Sequence, residues 1–310
     1  MQEYRQNPSN RLLRNDKQMR IVQIIGGLGN QMWQYAMLIS LKKHFPGEEV
    51  YYNSSFFKGY PLHNGFELDH LFNITAKQAS TKDIRKVYHH FIGHNFFLRV
   101  YTHFFPALKT EVKEKESKPY RKEIFEQEGN FYYNGYWADH RYFDDCREDL
   151  LKEFTLKTPL DDRNLNLLKE NDGKFVCSLH VRRGDFLKYP DYCGICDLDY
   201  YQRAIKIICS RHEKPISFFI FSNDMNWCKE NLANSFGNNE VVYVDWNKGN
   251  DSYKDMILMS KCNANIIANS SFSWWAAYLN KTPGKIVISP TKFKNKDMGF
   301  KIPLDDWICI

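Results

Sequence analysis

The chain has 310 residues, 43% hydrophobic and 26% charged, with a formal net charge of +6. That balance excludes a disordered or fibrous protein and leaves room for two compact domains, and no apolar run approaches the roughly 20 residues of a membrane-spanning helix. The positive charge favours anionic ligands without amounting to a nucleic-acid surface, and the 16% aromatic content leaves rings to hold the apolar face of a sugar.

Residues 1–20 carry five Lys/Arg against two acids with no apolar core behind them, so 1–18 read as a partly ordered leader, not a signal or an anchor. Residues 19–25 predict a first strand, closed by Gly26-Gly27. The turn Gly26-Gly27-Leu28-Gly29-Asn30-Gln31 then opens a helical pattern with Met32, Tyr35, Ala36 and Ile39 apolar. Glycines between strand and helix let backbone N–H groups approach a ligand closely. The third glycine of a dinucleotide fingerprint would fall at Met32 and is missing, which argues against NAD. A phosphate or sugar contact through Gly29, Asn30 and Gln31 stays open beside a plain tight turn.

A second strand is predicted at 50–52. From 60 to 130 the periodicity fades. His90 and His94 have helical spacing but no acidic third ligand, so with His89 and His103 they read as packing or surface residues. The charged run 109–122 reads as a solvated helix or loop. Gly135-Tyr136-Trp137 opens an aromatic segment that closes at Tyr142-Phe143, and an amphipathic helix with Leu150, Leu151 and Phe154 follows. Thr158-Pro159-Leu160 marks a boundary, dividing the chain into 19–160 and 161–310.

After 174 the pattern alternates. Strands are predicted at 175–181, 216–221, 241–245, 265–268 and 285–289, with helices at 199–210, 225–234, 253–261 and 272–280. That alternation means a parallel sheet covered on both faces, a Rossmann-like α/β domain, and the first strand-glycine-helix unit suggests another facing it across a cleft. Eight cysteines without an export signal point to a reducing cytoplasm. Cys193 and Cys196 have redox or half-zinc spacing, but no second pair completes four ligands, and a plain loop is the simpler reading.

Three loops meet at the carboxyl edge of the second sheet, where open α/β folds bind ligands. One carries His180-Val181-Arg182-Arg183-Gly184-Asp185, whose adjacent guanidiniums read as a phosphate clamp or as a surface pair with Asp185. Another carries Ser222-Asn223-Asp224; there an acid could accept guanine's two N–H donors or cap the next helix. The third carries Asn269-Ser270-Ser271-Phe272-Ser273, hydroxyls at a helix start that favour phosphate or serve as N-caps.

Residues 26–36 (Gly-Gly-Leu-Gly-Asn-Gln-Met-Trp-Gln-Tyr-Ala), 180–185, 221–224 and 269–276 together resemble the motif set of the α-1,2-fucosyltransferases, the inverting family 11 glycosyltransferases, in order from about 20 to 290. The resemblance implies a GT-B-type fold with an acceptor-side domain at 19–160 and a GDP-fucose-binding domain at 161–310. It also implies transfer to the 2-hydroxyl of a galactose-terminated glycan, with no metal or other cofactor. It makes Arg182 the main pyrophosphate ligand, assisted by Arg183, Ser270, Ser271 and the Gly29-Asn30 turn, with His180 and Asp224 near the nucleoside. Gly27, Gln31, Ser222 and Phe272 are further donor-binding candidates. The family's Gly-Tyr-Phe/Trp-Gln-Ser segment is here Gly135-Tyr136-Trp137-Ala138-Asp139-His140, so Tyr136, Trp137 and Asp139 are acceptor-side candidates and the acceptor's identity stays open. Animal members carry a membrane anchor absent from this sequence. The resemblance is therefore to a bacterial cytoplasmic form, compatible with peripheral membrane association and with no nucleic-acid partner.

Asp185 is the candidate proton acceptor, with structural pairing to an arginine as the alternative. Two other classes are weighed. A metal-dependent GT-A transferase would use Asp197-Leu198-Asp199 as its ion site, though Asp199 falls where a helix N-cap is expected. A non-catalytic nucleotide- or sugar-binding protein would hold GDP without turnover.

Overall fold

A computed structural model describes residues 17–59, 63–88, 110–114 and 120–310. The expected leader up to residue 16, the histidines at 89, 90, 94 and 103, and residues 109 and 115–119 of the charged run lie outside the described residues.

In chain order the first half holds β1 (Met19–Gln23), α1 (Leu28–His44), β2 (Glu49–Asn53), α2 (Leu68–Leu71), β3 (Lys77–Gln78), α3 (Thr81–Val87), β4 (Glu111–Lys113), β5 (Phe131–Asn134) and α4 (Arg147–Glu153). Its sheet has the order β3-β2-β1-β5-β4, with every pairing parallel. The second half holds α5 (Asp162–Glu170), β6 (Phe175–Val181), α6 (Leu198–Ser210), β7 (Ile216–Ser222), α7 (Met225–Asn231) and β8 (Glu240–Val244). It continues through α8 (Tyr253–Met259), β9 (Ala264–Ile266), α9 (Ser271–Leu279), β10 (Ile286–Ser289) and β11 (Ile308–Cys309).

This second sheet is also parallel, in the order β11-β10-β9-β6-β7-β8. Counted from β6 it is the doubly wound order in which the chain reverses direction between the first and fourth strands, so a crevice opens beyond the carboxyl ends of β6 and β9. Six of the seven β6 residues are buried, because helices cover both faces and polar alternation has no place there. The expected α/β architecture of two parallel sheets holds.

The charged run behaves differently from expectation. Its residues 111–113 form β4, an edge strand that buries Val112 and pairs with β5. Pairing to a neighbour, not local polarity, decides the conformation of so short an edge.

The halves share a core. Helix α1 is buried on nearly every side, which a helix wedged between two layers must be. Its Trp33 ring meets Trp274 of α9 edge-on at 5.6 Å, and one apolar cluster runs from Val22 and Met32 through Trp274 and Trp275 to Phe219 and Phe221.

Candidate active site

A cavity of about 960 Å³ opens between the glycine turn before α1 and the carboxyl ends of β6 and β9. That volume lies in the range of small-molecule sites. Its walls come from both halves: Gly27, Gly29, Asn30, His63, Glu114 and Tyr136 on one side, and His180, Arg182, Asp185, Ser222, Asp224, Asp255 and the 269–272 loop on the other.

The two arginines part company. Arg182 follows the last residue of β6 and faces the cavity, where its Nη2 donates to Asp185 Oδ2 at 2.9 Å and its guanidinium carbon lies 5.3 Å from the Phe186 ring centroid. Arg182 Nε is buried without a hydrogen-bond partner among the described residues. Arg183 turns away, its Nε donating to Asp224 Oδ2 at 3.3 Å and its guanidinium carbon 4.2 Å from the Trp227 ring centroid. Arg183 does not line the cavity. Asn223 locks the turn by accepting from the Arg183 backbone N–H at 2.9 Å and donating to Asp185 Oδ1 at 3.3 Å. Both Asp185 oxygens are thus engaged. A side chain at Gly184 would run into Asn223.

His180, near the end of β6, is buried, and its Nδ1 also lacks a partner among the described residues. Burial and the Arg182 charge push its pKa down to about 3, so the imidazole is neutral at pH 7. Its ring is tilted against Phe272 at 5.8 Å. Phe272 belongs to the first turn of α9, whose N-cap Ser270 accepts from the Phe272 N–H at 3.3 Å. Ser270, Ser271 and Phe272 all border the cavity, and the start of α9 brings its partial positive charge there.

Asp224 was expected as a nucleoside contact. It lines the cavity but is committed to Arg183 and to capping α7 through the Trp227 N–H at 3.3 Å. Ser222 Oγ accepts from the Asp224 N–H at 2.8 Å. A second carboxyl was not foreseen. Asp255 of α8 lines the cavity, accepts from Asn247 Nδ2 at 2.8 Å, and is pushed by burial up to about 7.

The glycine turn has a dual task. Gly29 borders the cavity, yet its closest neighbour is protein: a Cβ there would stand 2.6 Å from the Ser271 carbonyl carbon. Gln31 does not reach the cavity. It is fully buried, donating to the Gly26 and Gly65 carbonyls at 2.9 and 2.8 Å and accepting from the Glu67 N–H at 2.9 Å. Gln34 does the same for another loop, accepting from the Ile25 N–H at 2.8 Å and donating to the Gly135 carbonyl at 3.1 Å. These two glutamines staple the loops carrying His63 and Tyr136 to the turn.

Of the acceptor-side candidates only Tyr136 faces the cavity. Trp137, at φ 55°, is fully buried against Tyr133 and Tyr142, and Asp139 is buried in a pair with Arg141 at 2.6 Å. Glu114, inside the charged run, was missed; its Oε2 accepts from the Tyr136 and Trp137 N–H groups at 2.6 and 2.9 Å. His63 was missed too. It has φ 60°, lines the cavity at its open side, and has its pKa lowered by partial burial and the Arg182 charge, with Asp185 pulling the other way.

The Asp197-Leu198-Asp199 segment sits elsewhere. Asp197, not Asp199, is the N-cap of α6 and accepts from the Tyr200 N–H at 2.9 Å, while Asp199 accepts from Arg203 at 2.8 Å. Among the described residues no group of three or more His, Cys, Asp or Glu side chains is placed to hold a metal ion, and no helix is long and apolar enough to cross a membrane.

The profile of glycosyl transferase family 11 matches residues 2–310. An Escherichia coli alpha-1,2-colitosyltransferase is 35% identical over 308 residues, covering 94% of this chain and 98% of that protein. Galactoside alpha-(1,2)-fucosyltransferase 2 of Hylobates lar is 28% identical over 270 residues, covering 84% and 69%. Among solved structures, POFUT1 in complex with GDP superposes with a TM-score of 0.51 at 12% identity, covering 88% of this chain and 98% of that one, a likeness of fold.

Proposed function

Because the chain belongs to glycosyl transferase family 11, we propose that it moves L-fucose from GDP-β-L-fucose, with inversion, to the 2-hydroxyl of a terminal β-galactoside. The observation that supports this reading is a pair of buried nitrogens, Arg182 Nε and His180 Nδ1, that have no partner among the described residues and stand beside the start of α9 at the switch point of the second sheet. Buried polar atoms are normally satisfied, so two in one cavity wall next to a helix N-terminus call for an anionic, hydrogen-bonding ligand.

In this reading the diphosphate lies against Arg182, Ser270, Ser271 and the α9 N–H groups, with the Gly27-Gly29-Asn30 turn closing over it. The base extends toward His180 and Asp255, Asp255 taking the selecting role expected of Asp224. As the bond from the sugar's anomeric carbon to the β-phosphate oxygen breaks, its electron pair stays on GDP, and the preorganised donors meet the growing charge. The acceptor oxygen bonds to the anomeric carbon from the opposite face and loses its proton. In this reading Asp185 orients Arg182, and the neutral His63 imidazole, which lines the same cavity, takes that proton.

Relatives differ in the sugar named, and one is an α-1,2-colitosyltransferase. GDP-colitose, which lacks fucose's 3-hydroxyl, is therefore the rival donor. The eight free cysteines suit a reducing cytoplasm. Incubation with GDP-fucose or GDP-colitose and a panel of β-galactosides, with and without EDTA, followed by linkage mapping, tests the proposal. The expected product is an α-1,2-fucoside formed equally well in EDTA. GDP binding without turnover of either donor would overturn it.

A further inference from the structure

Among the described residues only three large apolar side chains stand well open to solvent: Tyr136 at 39%, Leu187 at 51% and Tyr189 at 56%. Exposed apolar rings that border a cavity mark a binding site. Tyr136 and Tyr189 both line the cavity that holds Arg182, one from each half of the molecule.

Both rings stand on fixed backbone. The Tyr136 N–H is held by Glu114 at 2.6 Å, and the preceding Gly135 carbonyl accepts from Gln34 of α1. Tyr189 ends the short turn Gly184–Lys188 that begins just past Arg182, its N–H donating to the Phe186 carbonyl at 3.3 Å. Beneath it Phe186 and Tyr192 stack at 4.8 Å, and the Tyr192 carbonyl accepts from Asn269 at 3.2 Å, which ties this rim to the loop before α9.

We infer that Tyr136 and Tyr189 form a two-sided clamp that stacks on the sugar rings of the acceptor oligosaccharide at the mouth of the cavity. The inference rests on the proposed transfer reaction and names the acceptor's share of that site. A pyranose presents an apolar C–H face that an aromatic ring covers, while its edge hydroxyls stay free for the reaction centre. Tyrosine supplies that area with only two side-chain torsions to freeze. Continuity with the cavity containing Arg182 singles out the acceptor, since the anionic donor is met by the polar groups of Arg182 and the start of α9.

Tyr136→Ala, Tyr189→Ala and the corresponding Phe variants, each checked for an unchanged Tm, test this with lactose as acceptor. We expect each Ala variant to raise the lactose KM roughly tenfold, the size of a stacking contact of about 1.4 kcal/mol. The Phe variants should stay within about twofold, and the Kd for GDP should not move. Saturation-transfer NMR of lactose on the GDP-loaded protein should lose the ring contacts in the Ala variants. Wild-type transfer with both Ala variants at unchanged lactose KM overturns the clamp alone. Lactose binding through these rings without transfer overturns the reaction and keeps the clamp, and neither binding nor transfer overturns both. Ala variants that lose binding to anionic phospholipid vesicles but keep their lactose KM would assign the rings to a membrane surface and overturn the inference.

Discussion

The indole N–H of Trp275 donates to the carbonyl of Gly29 at 2.9 Å, joining α9 of the second half to the glycine turn of the first. The two elements expected to cradle phosphate therefore also grip each other, and the cavity's geometry depends on how closely they approach.

A methyl group has no room at Gly29, where a Cβ would meet Ser271 at 2.6 Å and the Phe272 nitrogen at 2.8 Å, both backbone. Gly29→Ala should cost about 1–3 kcal/mol of stability, the usual size of overpacking against rigid atoms. Thermal unfolding with and without GDP checks it: a lower Tm and a smaller GDP-induced rise are expected, and an unchanged pair of values would contradict the close contact.

The arginines should separate in kinetics as they do in space. Arg182→Ala should lower kcat by a factor of about 10²–10³, the loss of a preorganised donor worth about 2.7–4 kcal/mol. Arg183→Ala, which breaks a pair with Asp224 but removes no cavity-lining side chain, should have a smaller effect. Steady-state rates of both variants decide, and equal losses would rule out the division of labour.

Asp255 gives a pH signature. Its carboxyl titrates near 7 when folded instead of 3.8, so below about 4 it is protonated in both states. As pH rises toward and through 7, the unfolded chain is already ionised while the folded one must ionise in a buried place, and the stability held by the neutral form is lost. Asp255→Asn should flatten that loss, so its Tm relative to wild type should be higher at pH 8 than at pH 5. If Asp255 accepts from guanine, GDP affinity should fall about 10- to 100-fold in the same variant, the range for a hydrogen bond to a charged group. Titration calorimetry reads the second effect.

His63 should appear in the rate profile. Partial burial and then the Arg182 charge disfavour the imidazolium, Asp185 favours it, and the sum is a lowered pKa. The acid limb of kcat should lie below 6.5, and His63→Gln should abolish it while lowering kcat about 10²-fold, the lower end for a general base. An acid limb that survives in His63→Gln but disappears in Asp185→Asn would return the role to Asp185.

Much of the second half could be read from residue order alone, because a buried parallel strand leaves so plain a mark: Phe175 through Val181 is apolar almost throughout and bounded by turn residues. The cavity residues contributed by β6 and by the start of α9 followed from that placement. Gln31 and Arg183 sit inside motifs, and Trp137 and Asp139 in a segment that departs from the family's pattern, yet all four are supports: a motif marks a geometry, and that geometry needs its supports as well as its contacts. His63, Glu114 and Asp255 carried no local mark of a site, although a helix was expected around Asp255 and a charged helix or loop around Glu114. What brings them to one cavity is the packing of the two halves against each other, a long-range fact that no short window of sequence contains. The short strands β3, β4 and β11 went unread for a similar reason, being fixed by their partners.

The central claim is that Arg182 and the start of α9 hold the donor's diphosphate, and a crystal structure with GDP tests it most directly. The account predicts the β-phosphate within hydrogen-bond reach of the Arg182 guanidinium and of the Ser270-Ser271 turn, with guanine toward His180 and Asp255. A nucleotide seated elsewhere, or one whose β-phosphate is out of reach of Arg182, would contradict it.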